Sequence, residues 1–108
     1  MKKLLAEKRN QLPDAIIAVN DPVAFGAINA IKEAGLSIPD DIAIVGFSDD
    51  IRSALMPSPL TTVRQPAFEM GRHTARKLIR AIDNPDEPVE DIILKNEIII
   101  RESCGAAR

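Results

Sequence analysis

The stretch Asp14-Ala15-Ile16-Ile17-Ala18-Val19-Asn20-Asp21-Pro22 decides the fold of this 108-residue chain. Its apolar part shows no alternation of polar and apolar side chains, which is typical of a strand buried on both faces of a parallel sheet. Pro22 suits the first turn of a helix, and Asp21 is predicted to cap that helix. The chain is therefore predicted to pass from a buried strand directly into a helix.

A second apolar run at residues 42–47 follows this helix, which Gly35 is predicted to end. A strand, a helix and another strand with short connections form a βαβ unit, so the two strands should be parallel with a right-handed crossover. The other predicted elements are a short helix at residues 2–11, a strand at 60–63, a long helix at 67–82, and two closing strands at 92–94 and 98–100. The predicted class is α/β.

Composition limits the possible functions. Fourteen Lys and Arg stand against 16 Asp and Glu, for a net charge of -2, whereas a dedicated nucleic-acid module normally carries a clear basic excess. No apolar run approaches the roughly 20 residues that span a bilayer, and the polar residues after Ala6 end any resemblance to an export signal. The single cysteine, Cys104, excludes an internal disulfide and suits a reducing compartment. We therefore expect a cytoplasmic protein with no membrane partner.

Polar clusters follow the three predicted parallel strands, and ligands of open parallel sheets bind at the carboxyl ends of strands. These clusters are Asn20-Asp21, Ser48-Asp49-Asp50 and Arg64-Gln65. Their amide, hydroxyl, carboxylate and guanidinium groups suit a polyhydroxylated or heterocyclic ligand. Capping alone would explain Asp21, and a turn alone would explain Asp49 and Asp50. Local structure explains Asn20 least, so it is the better ligand candidate.

Other chemistry has little support in the sequence. His73 has no second histidine or cysteine pair at ligand spacing, so we predict no metal site and interpret it as an ordinary helix residue. The glycines do not form a phosphate-binding loop, and no serine lies in a nucleophile elbow. The basic stripe of Arg72, Arg76 and Arg80 is interpreted as a solvated helix face. Neither a catalytic residue nor a cofactor is predicted.

Four motifs in a fixed order make the chain recognisable as similar to a known family. They are Pro13-Asp14-Ala15-Ile16 leading into Ala18-Val19-Asn20-Asp21, Ile38-Pro39-Asp40-Asp41-Ile42-Ala43-Ile44-Val45-Gly46-Phe47, Pro59-Leu60-Thr61-Thr62-Val63-Arg64-Gln65-Pro66 followed by Met70-Gly71, and Ile99-Ile100-Arg101-Glu102-Ser103. In this order the sequence resembles the C-terminal third of bacterial LacI/GalR-family transcription regulators, over residues 12–103.

The resemblance implies a fragment of a periplasmic-binding-protein-like (type I) fold. Residues 1–103 would form a partial effector-binding domain, mostly its C-terminal subdomain, with a crossover helix around residues 66–83 and a tail at 104–108. Members bind a small effector, a sugar or nucleoside-like metabolite, between two subdomains of the effector domain. They act as homodimers. Operator DNA would be bound only through an N-terminal helix-turn-helix that this chain lacks.

Family positions carry over onto individual residues. By resemblance, the effector would contact Asn20, Ser48, Asp49 and Gln65, and the dimer interface would include Phe25 and Met56. Ser48 departs from the family, because many members have an effector-binding aspartate there, and serine cannot supply a carboxylate. Asp49 could compensate only if the backbone turned it inward.

Two other readings remain open at this point. A sugar-binding protein of a transport system shares the fold, although the Leu-Thr-Thr-Val-Arg-Gln-Pro run at residues 60–66 resembles the regulator branch. An enzyme using Asp21, Asp49 and Asp50 would need a closed cleft that raises one carboxyl pKa, and half of that cleft is absent from this chain. The prediction is therefore a non-enzymatic, effector-binding part of a regulator.

Overall fold

The computed structural model describes residues 1–7 and 11–106. In chain order the elements are α1 (Lys2–Glu7), β1 (Ala15–Ile17), α2 (Asp21–Glu33), β2 (Ala43–Val45), a first 3-10 helix (Ile51–Leu55), β3 (Thr62–Arg64), α3 (Ala67–Asp83), β4 (Glu97–Ile99) and a second 3-10 helix (Glu102–Cys104). The predicted first helix is present, but its predicted residues 8–10 lie outside the described residues.

The strands confirm the predicted βαβ unit. β1 pairs in parallel with β2, with Ile16 opposite Ile44. A parallel bridge between Val45 and Thr61 joins β2 to the segment that enters β3, and β3 pairs antiparallel with β4. The carboxyl ends of β1, β2 and β3 therefore face the same way, which is the geometry that the site prediction needs.

Helix α2 supplies most of the core against this sheet. It carries apolar residues at helical spacing, so one stripe of the helix is buried. The two buried clusters consist of Ala18, Ala24, Ala27, Ile28, Ile44 and Leu60, and of Leu5, Ala30, Ile31 and Ile42. The helix ends as predicted at Gly35, whose φ of 76° is left-handed, and the Leu36 amide donates to the Ile31 carbonyl at 3.1 Å.

The prediction that β1 is buried on both faces is wrong for the described residues. Ala18 is buried and Ile16 half-buried against α2, but the side chains of Ile17 and Val19 are 85% and 76% exposed. Successive strand residues point to opposite faces, and only one face of β1 is covered within the described ranges. The opposite face is an uncovered apolar surface.

The end of the chain also differs from the prediction. Residues 92–94 form no strand, because β3 takes its antiparallel partner from β4 instead. Cys104, the first residue of the predicted tail, belongs to the second 3-10 helix and is half-buried. Ser103 fixes this helix to the sheet, since its hydroxyl donates to the Ile44 carbonyl at 2.6 Å. Of the predicted tail, residues 107–108 lie outside the described residues.

The chain divides into two compact units. The first comprises the described residues of 1–64 and 97–108, and the second comprises residues 65–96. The second unit contains α3, which matches the predicted long helix and buries none of its residues. Its exposed apolar residues include Phe68, Leu78, Ile79 and Ile82. No helix among the described residues is long and apolar enough to cross a membrane.

Candidate functional site

Asn20, not Asp21, is the N-cap of α2, which corrects the sequence-based assignment. Asn20 has an extended backbone (φ -158°), and its Oδ1 accepts a hydrogen bond of 2.9 Å from the Val23 amide. Asp21 is already the first helical residue, and its side chain accepts hydrogen bonds from residues outside α2. Asn20 thus lies at the end of β1 as predicted, and its capping role is one that the sequence did not reveal.

Asp21 is a completely buried carboxylate with three hydrogen-bond donors. Its Oδ1 accepts from the Thr62 hydroxyl at 2.7 Å. Its Oδ2 accepts from the Asp50 amide at 2.7 Å and from the Ser53 hydroxyl at 2.6 Å. A buried charge is costly unless it is hydrogen-bonded, and here two hydroxyls and an amide fill that requirement. We call Asp21, Ser53 and Thr62 the carboxylate hub.

Gly46 makes room for the carboxylate hub. A Cβ at this position would collide with Oδ1 of Asp21 and would lie 2.9 Å from Cδ2 of Leu60. The glycine that ends β2 therefore allows the sheet to approach α2 closely. Its backbone amide donates to the Thr61 carbonyl at 2.9 Å, which continues the pairing of β2 with the segment before β3.

The turn after β2 has an unusual backbone. Ser48 has φ of 107° and Asp49 has φ of 49°, a region that residues with a Cβ rarely adopt. Ser48 is exposed at the end of the strand, as its predicted ligand-binding role requires. We call these two residues the positive-φ turn.

Two arginines hold the Asp49 carboxylate. Oδ2 accepts from Nε of Arg64 at 2.7 Å, and Oδ1 accepts from Nη2 of Arg101 at 2.9 Å, while only 11% of the side chain is exposed. Burial raises the pKa of Asp49, but the hydrogen bonds and charges of Arg64 and Arg101 outweigh it and lower the pKa below its usual value. Asp49 is thus committed to internal ion pairs, and the backbone does not turn its carboxylate into a free ligand contact.

The polar residues around the carboxyl ends of the parallel strands, which we call the rim, include Asn20, Ser48, Asp49, Asp50 and Arg64. The other charged groups of this rim are paired as well. Arg52 donates to both carboxylate oxygens of Asp50, at 2.8 and 2.7 Å. These side-chain hydrogen bonds, with a backbone hydrogen bond from Arg52, lower the pKa of Asp50 to about 2. Arg64 has a second acidic neighbour, Glu97, at 3.5 Å. The rim therefore presents neutral polar groups, Asn20 and Ser48, among mutually neutralised charges.

The remaining predicted residues make contacts of their own. Gln65 belongs to the second unit, where its carbonyl accepts from the Ala67 amide at 2.8 Å. Phe25 and Met56 are half-buried and pack against the cluster around Ala24. The guanidinium of Arg52 lies 5.1 Å from the centre of the Phe25 ring. Among residues 1–7 and 11–106, no group of acidic, histidine and cysteine side chains could hold a metal.

Sequence reasoning did not identify Ser53, Thr62 or Arg101 as site residues. Their partners lie 32, 41 and 52 positions away in the chain, so no local pattern reveals the contacts. Their position in the sequence was the one indication, since Thr62 and Arg101 lie inside the motifs that carry the family resemblance. Those motifs hold the rim together as well as lining it.

Comparisons with known proteins identify a family for this chain. The sequence profile of the periplasmic binding protein-like domain matches residues 1–104. The "HTH-type transcriptional repressor PurR" of Haemophilus influenzae (strain PittEE) is 38% identical over 106 residues, which are 95% of this chain and 31% of the repressor. The chain thus spans about a third of the length of the curated relatives it matches.

Solved structures of transcriptional regulators have a similar fold. A LacI family transcriptional regulator of Enterococcus faecalis V583 with bound ribose superposes with a TM-score of 0.82 at 33% identity, covering 94% of this chain and 38% of that one. The complex of the transcriptional regulator CelR with cellobiose superposes with a TM-score of 0.84 at 29% identity, covering 94% and 31%. On its sequence, its fold and these likenesses, the chain belongs to the periplasmic-binding-protein-like domain family of LacI-type transcriptional regulators.

Proposed function

We propose that this chain is the effector-binding and dimer-forming part of a LacI-type regulator, and that its effector is a neutral carbohydrate. The observation that carries the proposal is the rim at the carboxyl ends of β1 and β2, where Asn20 and Ser48 stand among charged groups that neutralise each other. A segment of the regulator outside these residues would bind operator DNA, and effector occupancy would control that binding.

The chemistry of the rim favours a neutral, polyhydroxylated ligand. Capping uses only Oδ1 of Asn20, so the two hydrogens of its side-chain NH₂ group can donate to ligand hydroxyls. The Ser48 hydroxyl can donate and accept. Since Arg64 and Arg101 already donate to Asp49, a phosphate or carboxylate on the ligand would compete with that carboxylate for the two guanidinium groups.

The relatives support the regulator over the transport protein. The matched repressor is named for transcription, and the two structural neighbours are regulators, one with ribose and one with cellobiose. A transcription regulator of this type acts in the cytoplasm and catalyses no reaction, so we propose the same here. We also propose that residues 1–103 are one part of the effector domain and that the helix within 66–83 crosses to its other subdomain.

The proposed dimer surface surrounds the first 3-10 helix. Phe25 and Met56 are half-buried at its border, while Ile51 and Leu55 on this helix are 88% and 80% exposed. Adjacent large apolar side chains on a surface usually mark a contact with another protein. A homodimer through this surface would cover them.

A calorimetric titration with matched neutral and charged sugars tests the proposal. The regulator that contains this chain is titrated with ribose, cellobiose and ribose 5-phosphate. We expect a neutral sugar to bind and ribose 5-phosphate to bind more weakly than ribose. Preferential binding of the phosphorylated sugar, or no binding of any neutral sugar from a wider panel, would contradict the proposal.

A further inference from the structure

In the positive-φ turn, Ser48 and Asp49 have a backbone conformation that is unfavourable for residues with a Cβ. Residues with a Cβ occupy this region only when the surrounding structure imposes it. The turn carries Ser48, the exposed hydroxyl at the proposed ligand site, so the groups that impose the conformation of the turn also set the position of that hydroxyl.

Three consecutive backbone amides of the turn donate to fixed acceptors. The Ser48 amide donates to the Val63 carbonyl at 2.9 Å. The Asp49 amide donates to the Thr62 hydroxyl at 3.2 Å, and the Asp50 amide donates to Oδ2 of Asp21 at 2.7 Å. The first bond is ordinary sheet pairing, so the carboxylate hub supplies the other two.

Both of these acceptors depend on Asp21. Asp21 binds the Asp50 amide directly, and it also accepts the Thr62 hydroxyl proton at 2.7 Å. Because a hydroxyl has one hydrogen, donation to Asp21 directs the lone pairs of Thr62 towards the Asp49 amide. The Asp21 carboxylate therefore orients both acceptors at once.

Asp21 also connects Asn20 to the end of β2. It follows the cap residue Asn20 directly, and its own amide donates to the Phe47 carbonyl at 3.0 Å, just before the turn. Gly46 lets the carboxylate lie against the end of β2. The start of α2 and the turn are thus joined through one side chain.

We infer that Asp21 is a positioning residue, which acts through Thr62 to hold the positive-φ turn and so fixes the Ser48 hydroxyl relative to the Asn20 amide. The part that concerns the ligand rests on the proposed function. The part that concerns the backbone can be measured without a ligand, so the two can fail separately.

The unsubstituted chain gives the first test. In nuclear magnetic resonance spectra of the labelled chain, a scalar coupling across the hydrogen bond should link the Asp50 amide nitrogen to the Asp21 carboxyl carbon. One-bond Cα–Hα couplings at Ser48 and Asp49 should show positive φ. Negative φ at both residues, or an Asp50 amide that exchanges as fast as a free one, would overturn the inference without any variant.

Thr62→Val and Thr62→Ser form a matched pair. Valine keeps the shape of threonine without the hydroxyl, whereas serine keeps the hydroxyl. We expect Thr62→Val to lose the positive-φ signature and to speed exchange of the Asp49 amide, whose acceptor is the Thr62 hydroxyl, at least tenfold, while Thr62→Ser keeps both. Thr74→Val, which removes an exposed hydroxyl in the second unit, should change neither. A turn unchanged in Thr62→Val would contradict the inference.

The amides of Ile28 and Ile31 in α2 separate positioning from general destabilisation. They should stay protected from exchange in Thr62→Val, and an equal loss of protection there would show a merely structural role. In the sugar-binding regulator, Thr62→Val should weaken binding of the active neutral sugar about tenfold, and Thr62→Ser should restore it. A lost turn with unchanged sugar affinity would overturn the link to the ligand. A regulator that binds no sugar would contradict the proposed function and leave the backbone result intact.

Discussion

The hydroxyl of Thr62 donates a hydrogen bond of 2.7 Å to Oδ1 of Asp21, although 41 positions separate the two residues. Both side chains are completely buried, so the contact joins the start of β3 to the start of α2 inside the core. Hydrogen bonds to charged groups contribute about 1.5–3 kcal/mol to stability, more than neutral ones. The same hydroxyl accepts from the Asp49 amide at 3.2 Å, so the contact also connects the start of α2 to the turn that contains Ser48.

Gly46→Ala should destabilise the first unit. Its added methyl group would meet Oδ1 of Asp21 and Cδ2 of Leu60, and overpacking of this kind costs about 1–3 kcal/mol. The control is Gly26→Ala on the exposed side of α2, where a Cβ would meet nothing within 4 Å. That change should stabilise the helix by about 0.5–1 kcal/mol. Urea unfolding measures both, and equal effects of the two changes would contradict the packing around Asp21.

The free energy of unfolding should fall in acid, in part because of Asp49. Its pKa is lowered in the fold because Arg64 and Arg101 outweigh the opposing effect of burial. A lowered carboxyl pKa contributes stability that is present above the unfolded-state value and is lost as pH falls through the folded-state value. We expect that loss below about pH 4, with Asp50 contributing towards about pH 2.

Asp49→Asn removes the Asp49 part of this dependence. Its free energy of unfolding, measured by urea unfolding across acidic pH, should decline less steeply than that of the unsubstituted chain. The exposed substitution Asp86→Asn is the control for the loss of one carboxylate, and Asp49→Asn should flatten the pH profile more than Asp86→Asn does. Parallel pH profiles for Asp49→Asn and the unsubstituted chain would show that the ion pairs with Arg64 and Arg101 do not stabilise the fold.

The chain should associate through the surface around the first 3-10 helix. Leu55→Lys places a charge among its exposed apolar residues, whereas Ala54→Lys adds the same charge at a small exposed neighbour. Light scattering at tens of micromolar should show a dimer or larger species for the unsubstituted chain and for Ala54→Lys, and a shift towards monomer for Leu55→Lys. A clean monomer before any substitution would refute the dimer.

This chain by itself should show no preference for operator DNA. Its net charge of -2 gives no electrostatic attraction to phosphates, and the basic residues of α3 are interpreted as a solvated face. In fluorescence anisotropy at physiological salt, candidate operator and scrambled duplexes should behave alike. A clear preference for one duplex would give the basic stripe of Arg72, Arg76 and Arg80 a role in recognition.

Local sequence patterns predicted the helices and strands well. The roles of individual side chains depend instead on contacts with residues far along the chain. Pro22 and Gly35 gave the start and end of α2 to within a residue, because proline and glycine act on their own backbone. The roles of Asn20 and Asp21 could not be assigned in the same way. Either residue type can cap a helix, and the choice follows from Thr62, which gives Asp21 a buried partner far along the chain.

The prediction that β1 is buried on both faces was wrong for a related reason. The apolar residues of β1 indicated two covered faces, but coverage depends on which elements pack there, and Ile17 remains exposed within the described residues. Similarly, the apolar run at 92–94 has the composition of a strand, while Glu97 begins the segment that pairs with β3. Composition identifies strand-forming segments, and the available partner strand selects among them.

Asn20→Ser separates helix capping from ligand contact at one position. Serine caps helices about as well as asparagine, so the free energy of unfolding should stay within about 0.5 kcal/mol, whereas Asn20→Ala should lose about 1 kcal/mol. Serine lacks the amide NH₂ group that we assign to the ligand. In calorimetric titrations of the regulator with the neutral sugar that it binds, Asn20→Ser should therefore weaken binding about tenfold. Unchanged sugar affinity in a stable Asn20→Ser variant would contradict the proposed site.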